Sequence, residues 1–360
     1  MLIEKILGDF SPWHFLFEFA IGGAIIVFAG QFLARAAKSI AEITGIGQTW
    51  IGLTVLSIVT SLPEFSANIS GVAFGAPEIA AGNIFGSNVF NILVIGILDF
   101  IQGRGGITNK ISIRQILPAS LGIALTSIAI ISILTMEYVP VNANYTGFFF
   151  SGIILLVFLG GNRMIYKIET RKTRKKNKMT ESVEHPNAVK EFVIFILSAT
   201  VIVLAGIWLI RVSVRFAEFP FVFGSREIVF GTTFVGTIVL SVITSLPELV
   251  VAISAYKMGA TNMAVSNLFG SCSFNVFIFP VLEPIMLLKT GESIFQSVDC
   301  SLLIPAVLSV IMISIAVMGL IYRSTKSYLN LGWDSLLIFF FYFVGNYLFF
   351  MADVLAPSIP

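Results

Sequence analysis

The sequence predicts an all-α membrane protein of ten transmembrane helices, built as two inverted five-helix repeats. Three observations lead there. Of 360 residues, 56% are hydrophobic and 12% charged, about half the charged fraction of a soluble domain. Apolar runs of about 20 residues or more, the length of a helix that crosses a bilayer, recur from end to end. The third observation is a duplication. Thr60-Ser61-Leu62-Pro63-Glu64, followed by Gly82-Asn83-x-x-Gly86-Ser87-Asn88-x-Phe90-Asn91, returns as Thr244-Ser245-Leu246-Pro247-Glu248 and Ser266-Asn267-x-x-Gly270-Ser271-Cys272-x-Phe274-Asn275. Glu64 and Glu248, Ser87 and Ser271, and Asn91 and Asn275 are each 184 positions apart, and 51–91 agrees with 235–275 at about half its positions.

The first span, about 12–34, follows Glu4, Lys5 and Asp9 and is too long for a signal core, so no cleavable signal peptide is expected. The second, about 50–73, carries the first Pro-Glu; the third, about 77–101, carries its Gly-Asn partner motif. Two apolar runs follow at about 115–136 and 145–166. The second half repeats the scheme at about 190–212, 228–256, 261–288, 300–322 and 332–353. The runs are continuous rather than alternating, which excludes barrel strands. Cys272 and Cys300 are too few for a disulfide framework and are expected as small apolar fillers.

Basic residues set the orientation. Arg35 and Lys38, then Arg104, Lys110 and Arg114, then Lys257, then Arg323 and Lys326 all fall on one side if the N-terminus is outside. So does the densest cluster, Lys167, Arg171, Lys172, Arg174, Lys175, Lys176 and Lys178. Both termini are therefore expected outside. Residues 167–189 are expected as a basic, solvated cytoplasmic linker between a first repeat at 1–166 and a second at 190–360. Five spans per repeat, an odd number, force the repeats into opposite orientations. That arrangement is typical of alternating-access transporters whose site lies at the midplane between repeats.

A carboxylate at membrane depth is expensive and marks a functional site by default. No Lys or Arg stands at matching depth in the second, third or seventh span to pair with Glu64 or Glu248. Ser57, Thr60, Ser61 and Glu64 follow helical spacing and line one stripe; Ser241, Thr244, Ser245 and Glu248 repeat it. Pro63 and Pro247 cannot donate to the carbonyls of Val59 and Ile243. Hydroxyls, carboxylates and freed carbonyls form an all-oxygen set suited to a hard cation such as Ca2+ or Na+. Ser87 with Asn91, and Ser271 with Asn275, lie one turn apart on the partner helices. Glu18 and Glu283 are expected in the interface, Asp99 as a solvated helix end, and Glu78 at a helix start.

The two Thr-Ser-Leu-Pro-Glu motifs with their Gly-Asn-x-x-Gly-Ser partners resemble the alpha repeats of the cation/Ca2+ exchanger superfamily, in particular its prokaryotic Na+/Ca2+ exchanger-like members. Span count, inverted halves and a basic central loop extend that resemblance over nearly the whole chain. It implies a secondary antiporter, not an enzyme, that exchanges Ca2+ for Na+ or H+ by alternating access. It needs no cofactor beyond the transported ions, and its surroundings are the lipid bilayer, with no nucleic acid and no protein partner. It also implies that Glu64 and Glu248 ligate Ca2+. Thr60, Ser61, Thr244 and Ser245 would add oxygen ligands, with Ser87 and Asn91 from the first repeat and Ser271 and Asn275 from the second. The first and sixth spans would be the sliding pair. Asn275 departs from the pattern, since members often carry Asp there, so the centre holds two carboxylates and two carboxamides. Two Na+, or two protons, would balance Ca2+ equally well. A prokaryotic plasma membrane is the expected location. The rivals are the same fold with Mg2+, Mn2+ or Na+/H+ exchange, a cation channel, and an intramembrane enzyme, for which no His or Lys base stands at depth.

Overall fold

A computed structural model describes residues 12–103, 105–139, 143–177, 187–217, 221–223, 226–228, 235–323 and 331–352. Among the described residues, twelve helices build the ten spans: α1 Pro12–Thr44, α2 Gln48–Thr60, α3 Leu62–Phe74, α4 Pro77–Gln102, α5 Ile116–Tyr138, α6 Ala143–Asn177, α7 Ala188–Ala217, α8 Thr237–Thr244, α9 Leu246–Lys257, α10 Thr261–Thr290, α11 Leu303–Tyr322 and α12 Trp333–Phe350. Eight of them are single apolar spans; α2 with α3, and α8 with α9, are each one span bent by 44°.

The two breaks have the same local cause. The chain runs through a π-helical stretch, Ile51–Leu56 in one repeat and Val235–Leu240 in the other, then through a regular turn to Ser61 or Ser245. Those serines leave helical geometry, with ψ near +10° in both. Pro63 and Pro247 then sit in the first turn of α3 and α9, where a missing N–H removes no helical bond. The continuous polar stripe expected of one helix is therefore two half-helices meeting at a serine. Each glutamate falls in the first turn of its second half, where the positive end of the helix dipole favours a carboxylate.

α4 and α10 form the centre. Their most apolar windows are 83% and 61% buried, whereas α6 shows 22% and α12 28%. α4 packs against α8 and α3, and α10 against α2 and α9, so each repeat's partner helix embraces the broken span of the other repeat. Glycines allow that approach: a Cβ on Gly86 would lie 1.8 Å from Thr237 O, and one on Gly270 would lie 2.2 Å from Leu53 O. α1 and α7 pack along each other outside this centre and touch it through α9 and α3.

Several expectations change. α1 continues to Thr44 and α6 to Asn177, so the first part of the 167–189 linker is helical. Lys, Arg and Glu are good helix formers, and the helix runs on past its apolar stretch. Within it Glu169 is buried and pairs with Arg114 at 3.7 Å rather than standing solvated. Residues 178–186 of the linker lie outside the described residues. Phe221–Phe223 (β1) and Arg226–Ile228 (β2) pair antiparallel, a small departure from an all-α chain. Residues 229–234, where the seventh span is expected to start, lie outside the described residues, and its described part begins at Val235.

Asp99 is buried at 1% exposure, not solvated. It accepts from Ile107 N at 2.5 Å and Gly332 N at 2.8 Å, holding the α4–α5 connection to the start of α12. Glu283 is buried too, and accepts from Ser293 Oγ and Ile294 N, each at 3.0 Å. Both carboxylates are buried rather than solvated or facing the interface because a folded-back loop supplies backbone donors. Cys272 and Cys300 are free thiols, Cys272 fully buried.

Candidate functional site

The site grows from the two breaks. All ten residues singled out from the sequence, Thr60, Ser61, Glu64, Ser87, Asn91, Thr244, Ser245, Glu248, Ser271 and Asn275, have no solvent exposure. The hydrogen bonds cross between repeats. Ser245 Oγ donates to Glu64 Oε1 at 2.8 Å, and Ser61 Oγ donates to Glu248 Oε1 at 2.7 Å. Ser271 Oγ adds a second donation to Glu248 Oε1 at 3.3 Å. Each break-point serine thus reaches the carboxylate of the other half.

The second oxygen of each carboxylate, Oε2, is buried with no hydrogen-bond partner. Neither glutamate has a cationic side chain paired with it among the described residues. An uncompensated pair of carboxylates in such surroundings is costly, and a bound cation removes that cost. Among the ten residues singled out, three further oxygens are buried without a partner: Ser87 Oγ, Asn91 Oδ1 and Asn275 Oδ1. Ser57 and Ser241 are different. Their hydroxyls turn back to the carbonyls of Leu53 and Thr237 in the π-helical stretches, so they shape the break instead of facing the carboxylates.

The structure adds four amides. Asn83 Oδ1 accepts from Thr244 Oγ1 at 3.1 Å, and Asn83 Nδ2 donates to Asn68 Oδ1 at 2.9 Å. Asn267 Oδ1 receives Thr60 Oγ1 at 3.5 Å. Asn275 Nδ2 donates to Asn88 Oδ1 at 3.1 Å. All are fully buried. Asn83 and Asn267 carried a signal, since they repeat at the 184-residue offset. Asn68 and Asn88 carried none from the duplication: their counterparts are Ala252 and Cys272.

Around this polar centre the packing is apolar. The Phe274 ring packs at a tilt against Phe65 and Phe158, as Phe85 does against Phe279. On the side carrying the basic residues, Lys38 Nζ donates to Met258 O at 3.0 Å and Tyr256 donates to Gln102 Oε1 at 2.6 Å. Gln115 Nε2 donates to Asn262 O at 3.0 Å there as well. On the opposite side Lys289 Nζ caps α3 through the carbonyls of Val72 at 3.2 Å and Ala73 at 2.5 Å.

Inverted repeats that cross at two broken helices and bury paired carboxylates between them define a membrane transporter. The comparisons make this specific. The family model described as "Sodium/calcium exchanger protein" matches residues 14–162 and 190–351, and the chain belongs to that family. It is 26% identical over 358 residues to the sodium/calcium exchanger MaX1 of Methanosarcina acetivorans, covering 89% of this chain and 94% of that one. It is 27% identical over 275 residues to the inner membrane protein YrbG of Escherichia coli, covering 76% and 79%. A shorter stretch of 83 residues is 40% identical to the putative antiporter CaxA of Alkalimonas amylolytica, spanning 23% of this chain and 26% of that protein. The fold is similar to that of the sodium-calcium exchanger NCX_Mj soaked with 100 mM Na+ and 10 mM Sr2+, with a TM-score of 0.65 at 19% identity over 94% of this chain and 98% of that one.

Proposed function

We propose that this chain exchanges Ca2+ for Na+ across a prokaryotic plasma membrane by alternating access, holding the ions between the two repeats. One observation carries the reading: Glu64 and Glu248 are buried, crossed to the serine of the opposite repeat, and each keeps one oxygen without a partner. Ca2+ would be held by those two carboxylates with Asn91, Asn275, Ser87 and Ser271; the Thr60-Ser61 and Thr244-Ser245 pairs would complete the oxygen set for Ca2+ and Na+. The family, and the names of MaX1 and NCX_Mj, support these two ions. The division into repeats at 1–166 and 190–360 is supported by the two separate stretches that the family model matches. The basic residues support placing both termini outside and 167–189 in the cytoplasm.

Charge accounts for coupling. Two carboxylates are neutralised by one Ca2+, by two Na+ or by two protons, while the bare pair is held in place by its desolvation cost. Only a loaded site crosses between its two accessible states. With a carboxamide at Asn275 there is no third carboxylate to hold a third Na+, so exchange of two Na+ per Ca2+ is the expected stoichiometry. The test is radiolabelled Ca2+ uptake into proteoliposomes loaded with Na+, run beside vesicles with an outward proton gradient. Uptake driven by Na+ and unaffected by a clamped membrane potential supports the reading. Uptake driven by protons alone replaces Na+ by H+, and uptake with neither moves the site to another divalent ion.

A further inference from the structure

The pseudo-twofold that relates the repeats is broken at two buried positions beside the site. Asn68, one helical turn after Glu64, corresponds to Ala252 at the 184-residue offset, and Asn88 to Cys272. Both breaks give the first repeat an amide that the second lacks, and both amides bond toward second-repeat residues of the site. Asn88 Oδ1 accepts from Asn275 Nδ2 at 3.1 Å, which leaves Asn275 Oδ1 buried and unpartnered. Asn68 Oδ1 accepts from Asn83 Nδ2 at 2.9 Å, and Asn83 Oδ1 then accepts from Thr244 Oγ1 at 3.1 Å.

The first-repeat counterparts have no such hold. Neither amide atom of Asn91 has a partner. Thr60 Oγ1 reaches Asn267 only at 3.5 Å and bonds more closely to its own helix at Leu56 O, at 3.0 Å, whereas Thr244 Oγ1 lies nearer to Asn83, at 3.1 Å, than to Ser241 O of its own helix, at 3.3 Å. Asn267 Nδ2 has no acceptor where Ala252 stands in place of an amide. Cys272 cannot imitate Asn88, because a thiol is a weak acceptor; its sulfur lies 3.7 Å from the backbone oxygen of Asn88.

We infer that Asn88 and Asn68 are positioning residues that clamp the second-repeat half of the cation site, so that Asn275 and Thr244 are fixed ligands while Asn91 and Thr60 adjust to whichever ion is held. The inference rests on the exchange proposed above. A carboxamide has one end that attracts a cation and one that repels it. Asn88 captures the repelling Nδ2 end and leaves the carbonyl oxygen of Asn275 for the ion. Asn83, held in its turn by Asn68, takes the proton of Thr244 and leaves the hydroxyl lone pairs free. Ligands fixed before binding cost less to order when the ion arrives.

The experiment is a reciprocal swap in full-length protein reconstituted in proteoliposomes, with Na+-driven Ca2+ uptake measured as a function of Ca2+. Asn88→Cys releases Asn275 and should raise the KM for Ca2+ about tenfold, the worth of one buried hydrogen bond, with the maximal rate kept within about threefold. The double variant Asn88→Cys with Cys272→Asn moves the clamp to Asn91 across the pseudo-twofold and should return KM to within about threefold of the unaltered protein. Asn68→Ala is the independent variant; it should raise the Ca2+ KM by a few-fold to tenfold while the protein still elutes as a single species. An unchanged KM in both single variants overturns the inference, as does a double swap whose loss adds to that of Asn88→Cys, the signature of mere packing. Absence of Na+-driven uptake by the unaltered protein overturns the exchange proposal itself, and the inference with it.

Discussion

Gly86→Ala tests whether the two repeats meet through a backbone contact that also sets the site. A Cβ there would lie 1.8 Å from Thr237 O, 2.7 Å from Ser241 Oγ and 2.8 Å from Thr237 C. An ordinary carbon–oxygen contact is about 3.3 Å, so α4 and α8 must part by about 1.5 Å. The obstacle is main chain, so no rotamer change relieves it. The same neighbourhood carries Thr244 to Asn83 at 3.1 Å and Ser245 to Glu64 at 2.8 Å. A shift of that size takes both beyond hydrogen-bonding range. Overpacking costs about 1–3 kcal/mol, the lost Thr244–Asn83 bond about 0.5–1.5 and the lost bond to the Glu64 carboxylate about 1.5–3, so the variant should lose about 3–7.5 kcal/mol. The checks are a thermal melt of purified protein in detergent and the Ca2+ dependence of uptake, with a lower Tm and at least a tenfold higher KM expected. Gly23→Ala is the control: nothing lies within 4 Å of its Cβ, and in a helix interior alanine gains about 1 kcal/mol over glycine. A Gly86→Ala protein with the unaltered Tm and KM would refute the reasoning.

Glu64→Gln and Glu248→Gln should each reduce Na+-driven Ca2+ uptake about 100-fold or more. One lost carboxylate leaves an uncompensated charge at depth, worth about 2.5–3.5 kcal/mol, and flux assays at saturating Na+ measure it. Ser245→Ala removes the donor to Glu64 and should raise the Ca2+ KM ten- to a hundredfold, from about 1.5–3 kcal/mol for a hydrogen bond to a charged group. Ser61→Ala should do the same through Glu248. Asp99→Asn leaves one of the amides of Ile107 and Gly332 short of its acceptor. A loss of about 1–3 kcal/mol in the melt, with the Ca2+ KM unchanged, is expected.

The parts of this molecule legible in the sequence are those that the duplication repeats. The register of Glu64 with Glu248 and of Asn91 with Asn275 located the buried centre, because a carboxylate recurring in apolar sequence has few structural explanations. Helical spacing then placed the hydroxyls on one face, but it assumed one continuous helix. The break at Ser61 and Ser245 was hidden, because proline before glutamate reads as a lost hydrogen bond when it is in fact the start of a new helix. Asn68 was invisible for the opposite reason, and Asn88, although part of the first motif, had no role legible there, as their value lies where the repeats differ. Asp99 looked like a solvated helix end and Glu283 like an interface carboxylate because position along a span cannot reveal a loop that folds back to donate to them.

The break also gives the serine cross-links their meaning. A continuous helix would present Ser61 and Glu64 to the same neighbour. With 44° between the halves, Ser61 instead points its hydroxyl at Glu248, and Ser245 points at Glu64. Each carboxylate is therefore held partly by its own half-helix dipole and partly by a donor from the other repeat. Neither repeat supplies all the donors to its own carboxylate. A movement that separates the repeats at this point would strip a hydrogen bond from each carboxylate just as it lost its cation. The empty site is thus opposed twice, by desolvation and by broken cross-links, and the exchange proposed for this chain needs that restraint between its two loaded states.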